Sequence, residues 1–79
     1  MTLKRIDVPG YDQFIEITVR EHRGRTYYGI EEREHVAGNW FPWEIREDGT
    51  RHIKSESGET LEEIEALIPA YIEDIKKYG

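Results

Sequence analysis

The sequence contains no cysteine, only three histidines and no long hydrophobic run, and each shortage excludes a class of protein. Without cysteine the chain can form neither a disulfide framework nor a thiolate site. The histidines are scattered and lack the spacing of a structural metal site, so we expect no metal and no cofactor. At 79 residues the chain lies near the lower size limit for folding without such staples, and its core must come from packing alone.

Membrane and secretory signals are missing as well. No apolar stretch approaches the roughly 18 residues of a membrane span. The basic segment at residues 1–5 is followed by no hydrophobic segment of the kind found in a secretory signal. These absences, together with the lack of cysteine, predict a cytoplasmic protein.

Charge is unevenly distributed along the chain. The formal net charge is −6, to which residues 1–30 contribute +1, residues 31–54 contribute −2 and residues 55–79 contribute −5. Binding to duplex nucleic acid depends on Lys and Arg contacts with phosphates. The overall balance therefore argues against a duplex binder, and only the first part of the chain is compatible with a polyanion.

Period-two alternation of apolar and polar residues predicts two long strands, at about 13–22 and 25–35, joined by a two-residue turn. With that turn, Ile17 faces Ile30 and both apolar sets fall on one side of the hairpin, so the register is self-consistent. The same register places Glu16 opposite Glu31, a like-charge pair that counts against perfect pairing there.

Two further strands are predicted at about 40–46 and 50–55, with an edge strand at 2–8 as an addition. In the first of them Phe41, Trp43 and Ile45 alternate on one face, and Pro42 indicates an edge strand or a bulge. Face parity favours a three-residue loop ending in Gly49 in the left-handed region. That loop places Trp43 opposite Ile53, with both side chains on the buried side.

Residues 60–78 predict a C-terminal helix. Thr60 followed by Glu63 has the spacing of an N-terminal capping box, and an apolar stripe continues at spacings of three and four residues. Pro69 predicts a kink or break near Ile68. The expected fold is α+β: one domain over residues 1–79, a four-stranded antiparallel β-meander (five-stranded with the 2–8 edge strand) packed on one C-terminal helix in two layers.

Signatures of catalysis are missing. No nucleophile elbow, phosphate-binding loop or dinucleotide fingerprint occurs, and the many carboxylates read as a solvated helix face. We therefore expect a protein without enzymatic activity. Two sets of residues suggest binding instead. The first comprises contact candidates for another protein: Trp40, Glu62, Glu65 and Glu73. For Trp40 the alternative is a ring that lies over the methylene groups of the sheet edge. The second is a basic-aromatic cluster suited to single-stranded nucleic acid: Arg20, Arg23, Arg25 and Tyr27.

Two short segments resemble known families. Residues 19–25 (Val-Arg-Glu-His-Arg-Gly-Arg), followed by Ile30-Glu31-Glu32, are similar to the second hairpin of the transcriptional coactivators known as positive cofactor 4. Those proteins place a helix after four strands and bind single-stranded DNA as dimers. The Lys-Gly-Ile-x-Leu segment of that family is absent here. Residues 58–63 (Gly-Glu-Thr-Leu-Glu-Glu) resemble the helix start of HicB-like antitoxins.

Three hypotheses of function follow. The first is a small protein-binding module, an accessory, antitoxin-like or phage-type inhibitor protein, whose acidic helix face could mimic a row of phosphates. The second is a single-stranded nucleic-acid-binding domain that uses the first hairpin. The third is an idealised or designed domain without an evolved ligand, which the missing cysteine and orderly capping would fit. An exposed edge strand also makes a homodimer through sheet extension an alternative.

Overall fold

The computed structural model describes residues 1–36 and 38–78; Ala37, in the predicted connection after the second strand, and Gly79 lie outside the described residues. Four strands form one antiparallel sheet in the order β1-β2-β3-β4, and a bent C-terminal helix packs on one face, as expected for the α+β class. The elements are β1 (Thr2–Asp7), β2 (Gln13–His22), β3 (Arg25–His35), a 3₁₀ turn (Pro42–Glu44), β4 (Thr50–Gly58), α1 (Leu61–Glu65) and α2 (Ile68–Tyr78).

The long β2–β3 hairpin has the predicted register. Ile17 pairs with Ile30, and Glu16 pairs with Glu31 despite their like charges. Arg23 and Gly24 form the turn with φ of 53° and 76°. Two successive residues in the left-handed region match the right-handed twist of the flanking strands, which is why such short turns close hairpins.

The predicted edge strand at residues 2–8 is confirmed as β1, which pairs antiparallel with β2. A turn through Pro9 and Gly10 joins them: the Tyr11 N–H donates to the Val8 carbonyl at 3.1 Å, and Gly10 has a φ of +87°. Proline followed by a residue with positive φ is the arrangement of a type II turn, where glycine avoids steric strain.

The core lies between the sheet and the helix, on the side of the hairpin where the alternating apolar residues were predicted to lie. Ile15, Ile17 and Ile30 are each at most 1% exposed. The apolar stripe of the helix meets them through Ile64, Tyr71 and Ile75, which are buried to the same degree. The sheet face away from the helix, called the open face below, is polar apart from a few residues such as the buried Phe14.

The C-terminal helix is broken where the sequence predicted. The Thr60 hydroxyl caps α1 by accepting a hydrogen bond from the Glu63 N–H at 3.2 Å. A new helix, α2, begins at Ile68, so Pro69 occupies a first-turn position that needs no N–H donor. Neither α1 nor α2 is long and apolar enough to cross a membrane, which holds for every helix in residues 1–36 and 38–78.

The predicted strand at 40–46 is wrong. Residues Pro42–Glu44 form a 3₁₀ turn, and only Ile45 makes a β-bridge, with Arg51. Proline has no N–H for a sheet ladder, and its fixed φ suits the first position of a helical turn. The proline therefore ends strand pairing instead of producing an edge strand.

The predicted pairing of Trp43 with Ile53 on the buried side is also wrong. The expected loop is present, with Gly49 at a φ of +80° and the Arg46 N–H donating to the Thr50 carbonyl at 2.8 Å. The strand pairing stops after Ile45, however, and Trp43 is exposed. Ile53 falls at an irregularity in the β3–β4 register and is 41% exposed.

Candidate functional site

Two strongly exposed aromatic residues form a stacked pair. The rings of Phe41 and Trp43 lie 4.6 Å apart between centroids at an interplanar angle of 10°. They are 60% and 78% exposed, whereas seven other hydrophobic residues form the buried core cluster. These two residues, called the aromatic pair below, were expected inside; the structure places them in solvent.

The backbone of the 3₁₀ turn explains how the pair is arranged. The Glu44 N–H donates to the Phe41 carbonyl at 2.9 Å, and the Ile45 N–H donates to the Pro42 carbonyl at 3.3 Å. Phe41, at the N-cap of this turn, has an extended backbone with φ of −65° and ψ of 140°. The change from extended to helical backbone at Pro42 brings the rings of Phe41 and Trp43 into contact with each other outside the core.

Trp40 holds the first part of the loop that joins β3 to β4. The described residues of this loop, 36 and 38–49, are called the connecting loop below. The Arg51 guanidinium lies 3.7 Å from the centroid of the Trp40 ring. Arg51 Nε in turn donates to the Glu34 carboxylate at 2.8 Å. Trp40, for which the sequence allows either an exposed contact residue or a ring lying over the sheet edge, is half-buried, and its stacking on Arg51 holds the loop against the sheet.

Arg33 fixes the second part of the connecting loop. It is 8% exposed and lies on the open face, with its guanidinium 2.9 Å from Glu31, 3.4 Å from Glu16 and 2.8 Å from Asp48. Arg46 adds a second cation at 3.3 Å from Glu31. The negative charges of Glu16 and Glu31, which face each other across the strands, are thus compensated by arginines on the open face. The strand register alone did not reveal this.

Asp48 joins this network to the start of β4. Its Oδ1 accepts hydrogen bonds from the Thr50 hydroxyl at 2.6 Å and from the Thr50 N–H at 3.1 Å. The hydrogen bond from the Thr50 hydroxyl, with smaller help from the Arg33 charge, lowers the pKa of Asp48. The connecting loop is thereby attached to the sheet on both sides of the aromatic pair.

The acidic helix residues predicted to contact a protein are exposed. Glu62 and Glu65 lie on α1 and Glu73 on α2, and none makes a salt bridge with another residue in the described part of the chain. Because the helix breaks between α1 and α2, the three carboxylates do not form one continuous helical row. They leave uncompensated negative charge on the helical layer.

The basic-aromatic cluster lies at the far end of the molecule, on the hairpin tip formed by residues 20–27. Arg20 lies 6.0 Å from the ring centroid of Tyr27, its cross-strand partner. Arg23 is in the turn, and Arg25 makes a long salt bridge of 3.9 Å with Glu59. The structure therefore brings Arg20 and Tyr27 together but does not gather the three arginines into one pocket.

A separate charged group lies between the sheet and α2. Burial, reinforced by the nearby charge of Asp74, raises the pKa of Glu32. Lys54 Nζ lies 3.0 Å from the Asp74 carboxylate, and that hydrogen bond raises the pKa of the lysine. Lys54 also approaches the Tyr71 ring to 4.5 Å. These contacts connect β4 to the helix.

Concave features are shallow. One is an open depression of about 600 Å³ at the end of the sheet, between Tyr11, Glu34 and Trp40. Residues 1–36 and 38–78 include no group of three or more His, Asp or Glu side chains arranged to hold a metal ion. The geometry offers exposed contact surfaces instead of an enclosed ligand site.

Comparison with known proteins adds no relative: no family model matches the sequence, and no curated protein or solved structure shows significant similarity to it.

Proposed function

We propose that this chain is a protein-binding module, an accessory or inhibitor protein that acts by inserting the aromatic pair into an apolar pocket of its partner. The exposure of the stacked Phe41 and Trp43 rings carries the proposal. Exposed contiguous apolar groups on a small polar protein mark contact surfaces, and tryptophan is enriched among the residues that dominate binding free energy.

The energetics favour this pair as an anchor. Burying an exposed large apolar side chain contributes about 1.5–3 kcal/mol. The rings are already stacked on each other, and the connecting loop is attached to the sheet by Trp40 and Asp48. A surface held in its binding geometry loses less conformational entropy on association, so more of the burial energy appears as affinity.

The charge distribution supports a partner with a basic rim. The chain has a net charge of −6, and the exposed Glu44 and Glu47 follow the aromatic pair within four residues. The carboxylates of Glu62, Glu65 and Glu73 add negative charge on the helical layer. Complementary charge accelerates encounter more than it raises final affinity. Mimicry of a continuous row of phosphates by these helix carboxylates is less well supported, because the break between α1 and α2 interrupts the row of carboxylates.

Site-specific photo-crosslinking tests the proposal. A photo-reactive phenylalanine analogue at position 43 should trap one partner in the source cells, and purified partner should bind the wild-type chain. W43A and F41A should each lose at least about tenfold in affinity. Y78A is the matched control, since Tyr78 is 77% exposed and belongs to α2. Equal binding by W43A and wild type would refute the aromatic anchor.

A second candidate, single-stranded nucleic-acid binding, is favoured by the proximity of Arg20 and Tyr27 at the hairpin tip. The tryptophans lie toward the opposite end of the hairpin, roughly 30 Å away for ten residues of strand. Tryptophan quenching would therefore miss binding at the tip. Fluorescence anisotropy with a labelled oligonucleotide is the better assay, with R20A/R23A/R25A as the variant that should abolish a salt-dependent signal.

A further inference from the structure

One edge of the sheet is open along most of β4. On one side β4 pairs with β3, and on the other the connecting loop reaches only Arg51, through the bridge from Ile45. Beyond that bridge no strand in the described part of the chain pairs with this edge, and residues 52–57 are all exposed. An unpaired row of backbone N–H and C=O groups is a template for another strand.

The opposite edge of the sheet is protected. The outer edge belongs to β1, which carries adjacent cations at Lys4 and Arg5 and has an irregular register between Thr2 and Lys4. Like charges and irregularities are the usual devices that prevent edge-to-edge pairing. β4 has its own irregularity at Ile53, but its edge is regular from Lys54 to Gly58 and contains no proline there. This stretch of β4 is the one suited to pairing.

The charges of β4 are self-complementary. Lys54 and Glu56 flank Ser55 and share one face of the strand, because side chains two apart point the same way. If a second copy pairs antiparallel with a two-fold axis through Ser55, Lys54 of each copy faces Glu56 of the other, so two opposite-charge pairs form. A shift by one residue in each copy brings Lys54 opposite Lys54, or Glu56 opposite Glu56. Opposite charges directly across strands stabilise a pair and like charges destabilise it.

We infer that β4 is a homodimer interface, in which two copies join their sheets antiparallel about Ser55 into one eight-stranded sheet. The two-fold axis is then perpendicular to the sheet, as an isologous contact between identical edges requires. Both helical layers lie on the same side of the joined sheet, where α2 packs mainly over β2 and reaches β4 through Lys54, and α1 also contacts β4. This inference is independent of the aromatic pair, which lies in the connecting loop.

Charge complementation tests the interface. Analytical ultracentrifugation measures the dimer fraction over protomer concentrations up to about 1 mM. We expect the dimer fraction of the wild type to increase with concentration over this range. E56K should weaken the dimer at least about tenfold, since two attractive pairs become two Lys–Lys contacts. K54E/D74N should weaken the dimer to a similar extent. The D74N substitution is included because a glutamate at position 54 would otherwise be repelled by Asp74 of its own chain. Each variant repels itself, but an equimolar mixture restores both opposite-charge pairs and should form a heterodimer.

Matched controls separate this interface from other causes. D12K changes the net charge as much as E56K but lies in the exposed turn before β2, and D74N alone removes only the partner of Lys54 within its own chain, so both should still dimerise. Circular dichroism verifies the fold of each variant. A wild type that stays monomeric overturns the inference, as does a mixture that fails to associate. Loss of the dimer in W43A, with E56K unaffected, would assign self-association to the aromatic pair and also overturn it.

Discussion

Arg33 Nη1 and Asp48 Oδ2 lie 2.8 Å apart, and this contact joins the open face of the sheet to the connecting loop. The same guanidinium lies between Glu16 and Glu31, which pair directly across β2 and β3. One buried arginine therefore compensates the negative charges of carboxylates on two strands and also fixes the position of the loop. The geometry of the aromatic pair depends on the same charges that hold the sheet together.

D48A should destabilise the fold by about 1–2 kcal/mol, because Thr50 loses two hydrogen bonds and the buried Arg33 loses a charged partner. Urea denaturation measures the change. E47A is the control: Glu47 is exposed, and removing it should change the free energy of unfolding by less than about 0.5 kcal/mol. Equal effects of D48A and E47A would contradict the proposed attachment of the loop.

The free energy of unfolding at acid pH should depend on the protonation of Asp48. Its pKa in the folded state is below the ordinary value of 3.8. Its contribution to stability is therefore complete above that value and lost as the pH falls through the folded pKa. D48N should lose less stability than wild type when denaturation curves are compared between about pH 5 and pH 2. Parallel curves for the two proteins would argue against this role.

R33M should be the most damaging of the charge variants, by about 3–5 kcal/mol, because it leaves Glu16 and Glu31 facing each other without a cation between them. R46M removes the more exposed partner of Glu31 and should cost less than about 1 kcal/mol. Thermal and urea denaturation compare the two. If R46M were as damaging as R33M, the burial of Arg33 would not be the decisive factor.

Gly29 should be sensitive to its cross-strand neighbour. A Cβ at this position would lie 2.6 Å from Thr18 Oγ1, so G29A forces Thr18 to change rotamer or shift. We expect G29A alone to cost about 1–3 kcal/mol and the same change in a T18A background to cost clearly less. A double-mutant cycle measures the coupling. Additive effects of the two substitutions would show that the contact relaxes without strain.

Glu32 should give the opposite pH dependence to Asp48. Its pKa is raised from 4.5 by burial and by Asp74 and Glu34, while Lys54 opposes the shift. The folded state therefore holds the proton more tightly, and stability declines as the pH rises from about 4.5 through the folded pKa. E32Q removes this titration, so its stability relative to wild type should increase between about pH 4 and pH 7. A constant difference across that range would count against the raised pKa.

The hairpin and helix could be predicted because local signals there agreed. Period-two alternation, a two-residue turn and matching face parity all specify the β2–β3 register, and Thr60 and Pro69 mark the start and break of the helix. Each signal involves residues close in sequence or a single repeated spacing. Such consistency across levels is what makes a segment predictable.

The connecting loop could not be predicted for the opposite reason. Phe41, Trp43 and Ile45 alternate as in a strand, and only the missing N–H of Pro42 separates that interpretation from a 3₁₀ turn. Arg33 was equally hidden: its burial depends on Asp48, which reaches it from a loop fifteen residues further along. The aromatic pair was thus assigned to the core by an alternation of faces that ends where the strand ends.

The order of strands in the sheet equals their order in the chain. Each strand can therefore zip onto its predecessor without waiting for a distant segment, and little loop-closure entropy is lost at any step. For an 11-residue strand such as β3, that local route shortens the time during which its hydrophobic side is exposed to other unfolded chains.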